Sequence, residues 1–222
     1  MKLTDDTNGA SRGRKGFRMT EAMFPLGSVL FPSMPLPLRV FEPRYLTMLS
    51  EILPNEPSEF GVVLIERGQE VGGGERRFPI GTMAQVANLD AVEEFVVLVA
   101  EGTHRFEVVT WLEDDPYPKA EIRVLPDLVW AENLGPLRQR AEDAVRDILR
   151  LATDLAGEGW PADVELSDDP VDACWQLAAI APLGPLDQVV LLASPSLHAL
   201  LTSLIEFVAG AEESFRALYP DE

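Results

Sequence analysis

Short apolar runs of the kind that form β-strands fill the chain from about residue 23 to about residue 126. They are rich in Val, Ile, Phe and Thr and are separated by Pro, Gly or acidic clusters. The run Glu94–Ala100 is apolar almost throughout and predicts a strand that is buried on both faces. The predicted strands are Phe24–Phe31, Pro37–Phe41, Phe60–Glu66, Gly81–Asn88, Glu94–Ala100, His104–Leu112 and Ala120–Leu125.

One helical pattern interrupts this series at Glu42–Leu53, where apolar residues recur at helical spacing and Pro43 suits the first turn. The stripe consists of Tyr45, Leu46, Leu49, Ile52 and Leu53. Strands in uneven, turn-rich succession with one early helix favour an antiparallel barrel or sandwich over a parallel sheet with crossover helices.

After Asp127 the pattern changes to that of helices. Pro136–Leu155 predicts an amphipathic helix, and Asp168 or Asp169 can cap a second helix, Pro170–Ala181. A short helix follows at Pro185–Ala193, and Ser194 can cap the last one. The apolar stripe of that last helix consists of Leu197, Leu200, Leu201, Leu204, Ile205 and Val208. The sequence therefore predicts an α+β protein, with a β-rich subdomain over residues 23–127 and a helical bundle over residues 128–222.

Residues 1–22 are predicted to be a flexible leader, because they show no apolar periodicity. The leader is locally basic, which leaves open a contact with an acidic partner, and a start at Met19 or Met23 is the alternative. Its basic residues are Lys2, Arg12, Arg14, Lys15 and Arg18.

The charge and the cysteine content narrow the class of partner and the compartment. A net charge of -19 repels phosphate backbones, so no nucleic-acid partner is expected. The single cysteine, Cys174, cannot form an internal disulfide, which fits a reducing cytoplasm. The N-terminus has no apolar signal region, and no stretch approaches the roughly 20 apolar residues of a membrane helix. A cytoplasmic protein without membrane contact is predicted.

Motifs for catalysis or cofactor binding are not found in the sequence. The dense glycine run Gly72–Gly74 is followed by Glu75, whose carboxylate would repel a phosphate, so a hairpin turn is predicted there. The cysteine and the two histidines, His104 and His198, lack metal-ligand spacing, and neither a metal nor a cofactor is expected. A hydrolase with an unrecognised carboxylate or Ser-based site, with His104 as a candidate acid or base, is the alternative.

The most distinctive segment is Pro25–Leu46, which reads PLGSVLFPSMPLPLRVFEPRYL. It predicts two short strands joined by a proline-stiffened turn, followed by a helix with Glu42 in its first turn, where the helix dipole favours a carboxylate. Arg39 and Arg44 flank Glu42, so an ion pair that ties the strand to the helix is expected.

This segment resembles the opening of the N-terminal domain of Lon proteases. Further similar segments follow in the order of that family, namely Phe60–Ile65 (FGVVLI), Ile80–Val86 (IGTMAQV), Gly102–Phe106 (GTHRF) and, less specifically, Asp187–Leu192. The resemblance covers roughly residues 23–210. It implies an antiparallel, PUA-like β pseudo-barrel with one helix, followed by a C-terminal helical bundle.

The resemblance also implies a non-catalytic module that binds unfolded or extended protein segments, in an adaptor or quality-control role, because no ATPase or protease motif accompanies it. A second protein partner could dock through the helical tail. The alternative to a binding role is a structural one. In that case Leu36, Phe41 and Tyr45 are core residues, and the region of Glu42 and Arg44 forms a structural joint. The candidate peptide contacts are Met34, Leu36, Arg39, Phe41, Glu42, Arg44, Tyr45 and Arg105.

Overall fold

The computed structural model describes residues 18–67, 76–92, 95–156 and 159–218. The strands are β1 (Arg18–Leu26), β2 (Pro35–Val40), β3 (Glu59–Arg67), β4 (Arg76–Val92), β5 (Phe95–Trp111) and β6 (Lys119–Val124). The helices are α1 (Pro43–Ile52), α2 (Gly135–Ala156), α3 (Pro170–Ile180), α4 (Pro185–Leu192) and α5 (Leu197–Leu218), with a 3-10 turn at Glu132–Leu134. The leader up to residue 17 and the predicted turn at Gly72–Glu75 lie outside the described residues.

The six strands form one mixed sheet, which makes the protein α+β. The expectation of a purely antiparallel sheet is wrong, because β1 pairs with β3 in parallel over Met23–Leu26. The first half of β1 pairs antiparallel with β6, and it includes residues 18–22, which the sequence assigned to the leader. Since β6 also pairs with β5, the order β3–β4–β5–β6–β1 closes on itself.

Strand β5 organises this closure. It is one strand, Phe95–Trp111, where the sequence predicted two, because Gly102 continues the ladder instead of breaking it. Its first half pairs with β2 and its second half with β6, while β4 runs along nearly the whole length. Strand β2 is therefore an edge, attached outside the closed ring of strands.

Helix α1 packs against residues of the strands through Tyr45, Met48 and Leu49, all nearly inaccessible to solvent. The Tyr45 ring stacks on Phe24 with centroids 4.0 Å apart. The helix begins after Glu42 and ends before Leu53, within one residue of the predicted limits, because Pro43 fits its first turn and the apolar stripe matches its period.

The helices after residue 132 share a separate hydrophobic core. The α5 stripe lies within it, since Leu197, Leu200, Leu201 and Leu204 are almost fully buried. That stripe faces the protein's own core, so a partner that docks through the tail would have to contact other residues. Of the two caps predicted for α3, Asp168 and Asp169, the structure uses Asp169, whose carboxylate accepts from the amides of Val171 and Asp172.

The loop between β1 and β2 contributes to two hydrophobic clusters, because Leu30 packs among residues of the strands and α1, and Phe31 packs among the helices. Phe31 belongs to the helical core and lies 6.1 Å from Trp175, between ring centroids. The Ser33 hydroxyl donates to the carboxylate of Asp172 at 2.6 Å. The division into subdomains at residue 127 and the description of the strands as PUA-like stay predictions.

Candidate peptide-binding surface

The outward face of β2, β5 and β4 carries exposed apolar side chains next to one arginine. Inward residues of the same strands, such as Leu98 and Ala100, are buried, so strand alternation turns their neighbours to solvent. Phe41 is 56% exposed, Val92 50% and Val97 40%. We call this surface the outer sheet face and define it by Pro37, Arg39, Phe41, Val92, Phe95 and Val97.

The strand register brings Arg39, Val97, Val92 and Phe95 together although they are distant in sequence. Phe41 directly follows the last residue of β2. Arg39 is opposite Val97, which is in turn opposite Asp90 on β4. In the next row Val92 is opposite Phe95. The face is thus an apolar strip with a cation on the β2 side and a carboxylate on the β4 side.

Arg39 lies over this strip and is at the same time exposed to solvent. Its guanidinium carbon lies 3.8 Å above the centroid of the Phe95 ring. Such a contact is worth about 0.5–1 kcal/mol at an exposed site. The arrangement leaves the planar guanidinium available to a carboxylate or carbonyl of a bound chain.

The free edge of β2 is poorly suited to pairing with another strand. Proline has no amide proton, so the ladder to β5 must use the amides of Leu36 and Leu38, and Pro35 and Pro37 turn their backbone outward. An incoming strand would find two donors missing at that edge. A bound segment is therefore expected to lie across the outer sheet face, not along the edge of β2.

The start of α1 holds Glu42 and Arg44. Arg44 Nε donates to Glu42 Oε2 at 3.1 Å, and both side chains are about five-sixths buried, at 16% and 17% exposure. The Arg44 guanidinium also lies 4.5 Å from the centroid of the Tyr45 ring. The expected ion pair exists, but it stays within the helix start and does not tie the strand to the helix, because Arg39 contacts Phe95 instead.

The other predicted contacts point inward. Leu36 and Met34 are half-buried and pack against the core beneath β2, and Tyr45 is 2% exposed. Of the three residues that could have been core, Tyr45 and Leu36 pack inward, and Phe41 does not.

Arg105 lies in the joint between the strands and the helices, where it lines a cavity of about 160 Å³. Its Nη1 donates to the carbonyls of Leu192 and Ser194, both at 2.8 Å, and its Nη2 donates to the carbonyl of Pro126 at 3.1 Å. The side chain is 6% exposed. Burial lowers the pKa of Arg105 from its ordinary value, and the nearby Asp127 carboxylate opposes part of that shift.

Other motif residues also hold the loop that carries the opening segment. The Thr82 hydroxyl donates to the carbonyl of Leu30 at 2.6 Å. Gly102 donates to the carbonyl of Met34 at 2.9 Å, and a Cβ on Gly102 would lie 2.2 Å from the carbonyl oxygen of Phe31. The GTHRF and IGTMAQV segments therefore have structural roles around Gly102, Arg105 and Thr82.

Sequence reasoning missed Val92, Phe95 and Val97. The run Glu94–Ala100 predicted burial on both faces, yet its outward residues are partly exposed because no element covers them among the described residues. In the same described part of the chain, no group of three or more His, Cys, Asp or Glu side chains is arranged to hold a metal ion. Nor does any described helix combine the length and apolar character that a membrane crossing requires.

Comparison with solved structures defines the class of fold. The chain is similar to a Lon N-terminal domain protein from Xanthomonas campestris, with a TM-score of 0.60 and 25% identity over 85% of this chain and 98% of that one. It also resembles the N-terminal domain of a Lon protease from the Mycobacterium avium complex, with a TM-score of 0.61 and 13% identity over 86% of this chain and 98% of that one. The fold is that of Lon N-terminal domains.

Comparison of sequences defines the family. The family model of the substrate-binding domain of the ATP-dependent protease La (LON) matches residues 21–210, so the chain belongs to this family. A Lon protease from Anaeromyxobacter dehalogenans is 32% identical over 58% of this chain and 16% of its own length. Lon protease 1 from Herpetosiphon aurantiacus is 25% identical over 83% of this chain and 23% of its own length. The chain thus spans less than a quarter of these relatives.

Proposed function

We propose that this chain is a non-catalytic recognition module that holds apolar, extended segments of other proteins on its outer sheet face. The observation that carries the proposal is the exposed apolar strip of Phe41, Val92 and Val97 in a member of a substrate-binding family. Exposed apolar surface that is contiguous and bordered by polar groups is typical of interaction sites. Arg39 and Asp90 supply that polar border on opposite sides.

The geometry supports weak and broad recognition. The exposed apolar side chains present roughly 250 Å² to solvent, and burying them would contribute about 6 kcal/mol before the costs of association. Before those costs, this energy corresponds to a Kd on the order of tens of micromolar, so the net affinity from these side chains alone is on the order of millimolar or weaker. Because recognition rests on a few exposed apolar side chains, the face selects for apolar character and not for one sequence, which suits an adaptor or quality-control role.

Two further features support a binding role without catalysis and a cytoplasmic location. The family match is to the substrate-binding part of Lon and not to its protease part, which supports a binding role without catalysis. The single cysteine, which cannot pair within the chain, supports a cytoplasmic location.

Binding of an immobilised peptide array that tiles an unfolded protein tests the proposal. The intact chain is expected to retain apolar peptides, and Phe41→Ala is expected to weaken retention at least threefold. Trp160→Ala is the matched control, because Trp160 is also an aromatic residue and is 43% exposed, but lies outside the outer sheet face. Equal loss in both variants, or none in Phe41→Ala, would remove the outer sheet face as the binding site.

An activity assay on the purified chain tests the alternative that the protein is a hydrolase with a carboxylate or Ser-based site. Incubation with casein and with generic ester substrates, with and without ATP, is expected to give no product above a buffer blank. Turnover that copurifies with the intact chain would contradict the non-catalytic assignment.

A further inference from the structure

A groove among the helices is a second candidate binding surface, on elements that do not contribute to the outer sheet face. It is an open groove of about 410 Å³ between the start of α4 and the second half of α5. This volume lies within the range of sites that accept small ligands or a few side chains. The residues used below are Leu183, Asp187, Glu206, Phe207, Gly210 and Phe215.

The groove forms because the apolar face of α5 is broader than the core that covers it. Leu204 and Val208 are almost fully buried, whereas Phe207 and Phe215 are only partly covered by the helical core. Phe207 and Phe215 are eight residues apart, so they lie on one side of the helix about two turns from each other. Their exposed sides form apolar walls of the groove.

Two exposed glycines line the groove beside open space. Gly210 lies between the two phenylalanines, and a Cβ added there would meet no atom within 4 Å. The same holds for Gly184, which lines the groove from the start of α4. No neighbour within the described residues requires these glycines to be small, so the space can accept a side chain from another molecule.

The rim of the groove is acidic. Asp187 and Glu206 both line it and are both exposed. They add to the field of a chain with a net charge of -19. A second copy of this chain would bring the same net charge and would be repelled, whereas a basic segment would be attracted.

We propose that this groove binds a partner protein through a basic segment that carries large apolar side chains. The apolar side chains of the segment would lie against Phe207, Phe215 and Leu183 and would occupy the open space beside Gly210. Lysine or arginine residues of the segment would lie near Asp187 and Glu206. This site is separate from the outer sheet face, so the protein could hold an extended client and a second partner together.

Two synthetic peptides of 16 residues test the inference with the full chain. They share one pattern of Leu and Phe and differ only in carrying either Lys or Glu at the remaining positions. Fluorescence anisotropy is expected to show the Lys peptide binding at least tenfold more tightly than the Glu peptide at low salt, with the difference shrinking as salt is added.

Gly210→Leu places a side chain in part of the groove and is expected to weaken binding of the Lys peptide at least tenfold without lowering Tm, because the added side chain enters open space. Gly135→Leu is the matched control, since a Cβ at Gly135 also meets nothing within 4 Å and that residue lines a different cavity. Asp187→Asn combined with Glu206→Gln is expected to reduce the preference for Lys over Glu at least threefold.

Several results would overturn the inference. They are equal binding of the two peptides, unchanged binding by Gly210→Leu, or dimerisation of the free chain that Gly210→Leu abolishes, which would make a second copy the occupant. If Gly210→Leu unfolds, the doubly neutralised variant decides in its place. Phe41→Ala separates the two sites, because it should lower any binding at the outer sheet face and leave the loss caused by Gly210→Leu unchanged. That loss is expected even if the outer sheet face binds nothing.

Discussion

Replacing Arg105 by methionine tests the joint between the strands and the helices. Methionine has a similar length and can keep the contact with Trp175, whose ring centroid lies 5.0 Å from the guanidinium carbon. It cannot donate to the carbonyls of Pro126, Leu192 and Ser194. The change therefore isolates the hydrogen bonds from the packing.

The expected loss of stability follows from these three bonds. The carbonyls of the buried residues Leu192 and Ser194 each cost about 1–3 kcal/mol when they lose their donor, whereas Pro126 is exposed and water can replace the lost bond there. Such costs do not simply add. The wild-type protein also bears the cost of desolvating the guanidinium, as the lowered pKa of Arg105 indicates, and the variant is relieved of it. We expect Arg105→Met to lower the free energy of unfolding by about 3 kcal/mol, a large part of the 5–15 kcal/mol typical of native proteins.

Urea unfolding followed by tryptophan fluorescence and by circular dichroism measures this loss. Arg123→Met is the matched control, because Arg123 pairs with Glu107 at a solvent-exposed position and should change stability by less than about 0.5 kcal/mol. Arg105→Lys keeps the charge without the planar fork and should give an intermediate loss. A loss below about 1 kcal/mol for Arg105→Met at an unchanged m-value would refute the role of Arg105 in the joint.

Three further predictions concern single residues. Gly102→Ala should destabilise the fold by about 3 kcal/mol or more in thermal melts, because its Cβ would lie 2.2 Å from the carbonyl oxygen of Phe31; a loss under about 1 kcal/mol would contradict this packing. Burial raises the pKa of Cys174 to about 11, so iodoacetamide at pH 8 should label it only after unfolding, and its contribution to stability should fall as the pH rises from about 9 toward 11. Tyr117→Phe should cost about 1.5 kcal/mol in urea unfolding, since the hydroxyl donates to Glu51 Oε2 at 2.5 Å; an unchanged midpoint would count against that bond.

Local elements could be predicted from the sequence where a local pattern determines them. Helix α1 lies within one residue of its predicted limits, and Asp169 caps α3 as one of two expected aspartates. Strand pairing could not be predicted in the same way. The parallel contact of β1 with β3 and the continuity of β5 through Gly102 depend on residues that are distant in sequence, and alternation within a run carries no information on its partner.

The residues of the outer sheet face could likewise be predicted only in part, because the surface depends on which strands lie side by side. Arg39 and Phe41 could be named because they belong to a distinctive segment of the sequence. Val97 could not, since an apolar residue in an apolar run is read as core until the absence of a covering layer is known. Arg105 was named as a contact because it belongs to a motif, and the structure shows that this motif arginine binds three carbonyls of its own chain.

The central claim, that the outer sheet face holds other chains, is tested most directly by site-specific photo-crosslinking. A photoreactive side chain at Val97 is compared with one at Val129, which is the same residue type and is more exposed, at 81% against 40%. In the presence of a reduced, unfolded client protein, position 97 should give the crosslink and position 129 should not. Crosslinking that follows exposure alone, stronger at position 129 than at position 97, would contradict the account.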